Sequence, residues 1–314
     1  MATFTAHSAI GQREDLTDII YDISPTETPF MSSIGKTKAT AVYHEWQTDS
    51  LAAATTANAA VEGADATSAT LSPTVRLGNY CQIVQKTVQV SGTLDAVNKA
   101  GRKSEKAYQL AKASAELKRD LETILLANQG RSAGSSTTAR KLGSLLSWIK
   151  TNSDVGSGGA DPATIGVSTR TDGTQRTFTE ALLKTVVAEV FSSGGSPKIM
   201  MVGASGKQKV STFAGIAAQR YMAPSNTPTT IIGAADVYMS DFGTMSVVPN
   251  RFMRVREALI LDPEYAALAY LRPFQTNDLA KTGDSENTQL LAEVTLEVKN
   301  EAAHGIVADL DMSL

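Results

Sequence analysis

GRKSEKAYQLAKASAELKRDLETILLAN, residues 101–128, is the clearest periodic stretch of the chain. Ala107, Leu110, Ser114, Leu117, Leu121 and then Ile124 or Leu125 return at intervals of three and four, while Lys103, Lys112, Lys118, Arg119 and Glu122 occupy the other faces. That spacing predicts an amphipathic helix over about 101–129, stopped by Gly130 as a C-terminal cap. At ~1.5 Å per residue it is roughly 40 Å long, which suits a spine with one packed side better than the middle of a small domain.

On the N-terminal side, Thr40 to Gln47 alternates, with Val42, His44 and Trp46 on one face and Tyr43 and Glu45 on the other, and a second strand-like run spans Val75 to Val90. Between them, Leu51 to Thr74 is rich in Ala, Thr and Ser, carries Gly63 and Pro73, and has no aromatic residue. A projecting hairpin that buries so little of itself is either a free flexible loop or is held by another molecule. Further back, Pro25 and Pro29 exclude a long helix, so the expectation is a short helix from about Arg13 to Tyr21 followed by an extended arm carrying Phe30, Met31 and Ile34. Those apolar groups either cover their own domain or reach a neighbouring subunit.

On the C-terminal side the chain is loop-like from Arg131, with a short packed element over Leu142 to Ile149 around Trp148. Phe178 to Phe191 reads as a helix capped by Thr177 and stopped by Gly194-Gly195. Strands at Pro197–Val202, Ile231-Ile232, Val237–Met239, Met245–Val248 and Ala258–Leu261, with a helix over Ser205–Phe213, make an α/β unit. Leu290, Ala292, Val294, Leu296 and Val298 alternate with Leu291, Glu293, Thr295, Glu297 and Lys299, which predicts a strand with one buried and one mostly wet face, before a last short strand at Ile306–Leu310.

The chemistry of catalysis is thinly represented. Lys and Arg total 29 against 32 Asp and Glu, a net charge of -3, so no basic excess grips nucleic-acid phosphate avidly. The single cysteine, Cys81, lies in an apolar alternating run and reads as a small buried hydrophobe in a reducing compartment. Met1 to Gly11 lacks the pattern of a secretory signal and no segment is apolar enough to cross a bilayer, so the protein is expected to be soluble where it is made, with no membrane partner. None of the three histidines, His7, His44 and His304, is spaced as a metal-ligand pair. The nearest approach to a motif is Val202-Gly203-Ala204-Ser205-Gly206-Lys207-Gln208, placed between strand and helix like a phosphate-binding loop. Met201 stands where that loop needs its first glycine, and Gln208 where it needs the magnesium-binding hydroxyl; Lys207 likewise replaces the last glycine of a Gly-x-Ser-x-Gly elbow. Asp262-Pro263-Glu264 reads as a pair of solvated carboxylates in a turn. No catalytic residue, cofactor or metal site is expected.

The order arm, long hairpin, spine helix, α/β unit and long final strand resembles the Hong Kong 97-like fold of tailed-phage major capsid proteins. Thr17-Asp18-Ile19-Ile20-Tyr21-Asp22-Ile23-Ser24-Pro25-Thr26-Glu27-Thr28-Pro29-Phe30 looks like the opening of a phage head protein, as does Leu291 to Asn300 running into Glu301-Ala302-Ala303-His304-Gly305; residues 130–176 match by position only. The resemblance implies an α+β chain divided into an N-terminal arm at 1–39, an extended-loop hairpin at 40–90, a peripheral domain at 91–177, an axial domain at 178–270 and C-terminal strands at 271–314 returning to the peripheral domain. It also implies hexamers and pentamers assembled in the host bacterial cytoplasm around packaged double-stranded DNA that is contacted non-specifically, with a portal as partner. Because the sequence starts at Met1 with a short arm, a separate scaffolding protein is expected rather than an amino-terminal scaffold segment. The residues expected at subunit interfaces are Ile19, Ile20, Tyr21, Phe30, Met31, Trp46, Val61 and Leu71. Two rivals remain: another phage structural protein, of tail or decoration type, and a nucleotide-binding enzyme using the turn at Gly203 to Lys207.

Overall fold

The computed structural model describes residues 24–63, 65, 68–97, 103–213 and 236–313. The helix expected at Arg13–Tyr21, the interface candidates Ile19, Ile20 and Tyr21, and the strand expected at Ile231-Ile232 lie outside those residues. The chain enters through α1 (Pro29–Ser33), a single helical turn where an extended arm was expected. Proline is well tolerated at the first helical position, because its missing N–H would have had no partner there. Then come β1 (Gly35–Lys38), β2 (Tyr43–Thr48), β3 (Val75–Tyr80), β4 (Gln82–Ser91) and the short α2 (Gly92–Ala96). The single strand expected over Val75–Val90 is two, parting at Cys81, whose N–H donates to the Val42 carbonyl.

The spine is α3 (Glu105–Leu126). It starts where Ser104 accepts the Ala107 N–H on its hydroxyl, and it stops short of Gly130 because Ala127 turns extended. The Ser144 hydroxyl meets this end, donating to the Ala127 carbonyl and accepting the Gln129 N–H. Gly130 is therefore not the cap. A Cβ there would lie 1.9 Å from the Val167 carbonyl, so the glycine permits two backbone segments to touch. α4 (Leu145–Trp148) is wholly buried, as its sequence predicts.

Beyond it lie β5 (Ser153–Asp154), β6 (Arg176–Thr177), α5 (Glu180–Ser192), β7 (Ile199–Val202), α6 (Ala204–Val210), β8 (Val237–Ser240), β9 (Gly243–Pro249), β10 (Ala258–Leu261), β11 (Ala266–Asp278), β12 (Ser285–Val298), β13 (Gly305–Val307) and β14 (Leu310–Asp311). α5 is entered from Thr179, not Thr177, which is instead paired in β6 with β14.

Two sheets carry the fold. The first has the order β1-β11-β12-β4, with β1 parallel to β11 and the rest antiparallel; β2 and β3 form a separate two-stranded ribbon. α3 lies across β4 and β12, and α4 and the ribbon also pack on β12, so both faces of β12 are covered from Leu290 to Leu296. The wet face expected for that strand is thus wrong: Thr295 is buried, and Glu293 is buried as the partner of both Arg140 and Arg272. β11 has no counterpart among the strands expected from the sequence. Its first four residues are buried on both faces, which erases alternation, and Pro273 sits where the pairing register slips between Arg272 and Gln275.

The second sheet has the order β5-β13-β10-β7-β9-β8, flanked by α5 and α6. It includes Gly305–Val307, so the last strands do not all return to the first sheet. One apolar core joins α1, α3, α4 and the first sheet; a second fills the space between α5, α6 and the six-stranded sheet around Phe178, Val187 and Ile260.

Candidate assembly surfaces

Among the described residues, the loop between β2 and β3 is a long uncovered feature. Its described residues from 49 to 74 hold no regular secondary structure and are exposed throughout. Leu51, Val61 and Leu71 expose 99%, 79% and 89% of their surface, so nothing in the subunit covers them. The stretch from 49 to 74 contains Asp49, Glu62 and Asp65 and neither Lys nor Arg, so the loop is uniformly acidic, a signal that the sequence already carries. The base of the loop is anchored. Tyr43 and Tyr80 stack across the ribbon at 4.6 Å between ring centroids, Arg131 covers the Tyr43 ring, and Trp46 packs on Trp148 at 5.3 Å. Trp46 is therefore half-buried in its own chain while Val61 and Leu71 stand free.

Phe30 and Met31 correct the expectation for the arm. Both are buried in the core beneath α3, so they have almost no surface left to lose on assembly. The sequence allowed either outcome, and the helical turn of α1 decides it by rolling both side chains inward.

A second uncovered apolar patch adds to the surfaces expected from the sequence. β8 is the edge of the six-stranded sheet, and its Val237 and Met239 face outward while Tyr238 turns into the core; nearby, the exposed Phe191 and Phe242 stack at 4.7 Å. The alternation Val237-Tyr238-Met239 was legible, but which face would be covered was not.

The motif-like residues are engaged in packing. Lys207 Nζ bonds Asp236 at 2.9 Å and the Val247 carbonyl at 2.6 Å, which ties α6 to β9. Cys81 is fully buried and burial pushes its thiol up to about 11, so it is a packing residue, as expected. His44 lies 3.2 Å from Glu297, and His304 is wholly buried, its Nδ1 accepting the Asp262 N–H. Asp262 is buried, not solvated, and caps the turn by accepting the Glu264 N–H. Among the described residues no group of His, Cys, Asp and Glu could hold a metal ion, and no helix is long and apolar enough to cross a membrane.

Comparison with known proteins identifies a family by its profile and a shared fold by structure. The profile of the family described as SU10 major capsid protein matches residues 2–311. A major capsid protein of Escherichia phage Phieco32 is 28% identical, with 97% of this chain and 96% of that protein covered. Among solved structures, the capsid asymmetric unit of cyanophage A-1(L) superposes with a TM-score of 0.67 at 11% identity, covering 98% of both chains. An encapsulin of Synechococcus elongatus superposes with a TM-score of 0.58 at 10% identity over 97% of this chain and 94% of its own. At such identities these two structures speak to the fold alone.

Proposed function

The chain belongs to the SU10 major capsid protein family, and from that membership we propose that its copies close, as hexamers and pentamers, into the icosahedral head of a tailed bacteriophage around double-stranded DNA. It is a structural component of a virion capsid with the Hong Kong 97-like fold. The exposed apolar loop carries the reading. Leu51, Val61 and Leu71 gain burial only against another molecule, and complete burial contributes roughly 1.5–3 kcal/mol for each side chain. Repeated around a closed shell, contacts of that size hold together although each alone is weak. The proposal extends to the remaining partners: a portal and a separate scaffolding protein during assembly in the host cytoplasm, and packaged DNA touched without sequence preference and without avid binding, because a subunit of net charge -3 has no basic excess to hold the genome against the wall. No turnover is part of this function.

Negative-stain microscopy of the purified protein tests it directly. Closed isometric particles are expected for the natural sequence, and dispersed subunits or capsomers for the triple variant Leu51→Ser, Val61→Ser, Leu71→Ser. Tubes would point to a tail protein, and shells of normal yield from the triple variant would remove the loop from the argument.

A further inference from the structure

A carboxylate that helical periodicity places on a solvated face is instead wholly buried. Glu122 of α3 accepts the Phe30 N–H at 2.7 Å and the Asn250 Nδ2 at 2.7 Å on Oε1, and the Met31 N–H at 2.9 Å on Oε2. Phe30 and Met31 are the second and third residues of α1, and the first backbone N–H groups of a helix find no acceptor within it. Thr28, ahead of α1, makes no side-chain cap; the acceptor comes from Glu122, 91 and 92 residues along the chain.

The third donor reaches in from elsewhere. Asn250 follows β9, and it is fixed at both ends: its N–H donates to the Val202 carbonyl at the end of β7 and its Oδ1 accepts the Phe252 N–H. Asn250 is itself buried, so its amide has little freedom to turn away. Burial raises the Glu122 acid above the usual carboxylate range, and the three donors, each of which favours the carboxylate, offset that rise only in part. One side chain of the spine thus joins the root of the N-terminal arm to the six-stranded sheet.

We infer that Glu122 is the positioning residue that seats the N-terminal arm, and that the β9 end of the six-stranded sheet acts on the arm through Asn250 and this carboxylate. The inference concerns the subunit alone and stands whether or not the shell reading does. A neutral amide of the same shape cannot replace it. Gln accepts on one atom and donates on the other, so at least one of the three N–H groups would face another donor.

Hydrogen exchange on the full chain in the unassembled state tests the inference. Glu122→Gln is expected to speed exchange in residues 24–34 by about tenfold or more, the loss expected when a charge-assisted bond is broken. Asn250→Ala, which touches no arm residue, is expected to speed the same segment, with residues 105–121 unchanged in both variants. The double variant is expected to exchange like Glu122→Gln alone, because the Asn250 effect passes through the missing carboxylate. Wild-type exchange of residues 24–34 in Asn250→Ala, or additive effects in the double variant, would overturn the coupling. Should Glu122→Gln fail to fold, Asn250→Ala decides by itself.

Discussion

His304 shows how burial turns a single residue into a pH sensor of stability. Burial pushes its imidazole from the usual 6.5 down to about 4, partly offset by the Tyr265 backbone. A folded pKa below the unfolded one means that the neutral ring stabilises the fold above about 6.5, and that this contribution is lost as pH falls from there through about 4. The full effect is roughly 3 kcal/mol. His304→Asn keeps an acceptor for the Asp262 N–H and cannot be protonated. Denaturant midpoints at pH 7.5 and 4.5 are expected to differ less in this variant than in the natural sequence, and equal pH dependence in the two proteins would assign the acid sensitivity elsewhere. No local signal in the sequence marked His304 for full burial, whereas His44, 3.2 Å from Glu297, stays only partly covered.

Among elements, the arm divides at α1. Phe30 is fully buried and Met31 and Ile34 nearly so, and β1 extends the first sheet by pairing with β11. Those residues belong to the body, not to a detachable extension. Removing residues 1–37 discards Phe30 along with the other two, and loss of one such ring already costs about 3–5 kcal/mol. The truncated chain is therefore expected to be insoluble or to melt far below the full chain. Melting equal to that of the full chain would show that α1 and β1 add nothing to the fold. The periodicity of residues 101–128 located the spine well because one face of it meets solvent along much of its length. The end of the helix was misplaced because the stop is set by Ser144 and the extended Ala127, which lie together only after folding.

At the scale of the molecule, the turn that came nearest to a nucleotide-binding motif is a structural joint. Lys207 commits its ammonium to Asp236 and the Val247 carbonyl, and the helix that holds it, α6, has seven residues. Calorimetric titration with ATP and magnesium is expected to show no saturable heat for the natural protein, and the same for Lys207→Ala. Saturable binding that disappears in the variant would reopen the enzyme reading.

The order of the parts is legible from local signals alone: a punctuated N-terminal segment, a long small-residue loop between strands, a spine helix, an α/β unit and a long final strand. Each of these is written in local signals, because amphipathic period, proline and glycine placement, and small-residue composition act over a few neighbouring residues. Trp148 in a short packed element and Cys81 as a buried thiol were legible for the same reason. What covers each face is settled by folding. β12 alternates like a half-exposed strand yet is covered on both sides, β11 lost its alternation for the same cause, and Glu122 and Glu293 look like solvated charges until their donors arrive from distant parts of the chain. The physical reason is that burial of a charge or a second sheet face depends on partners far apart in sequence, and no local pattern records where those partners will come to rest.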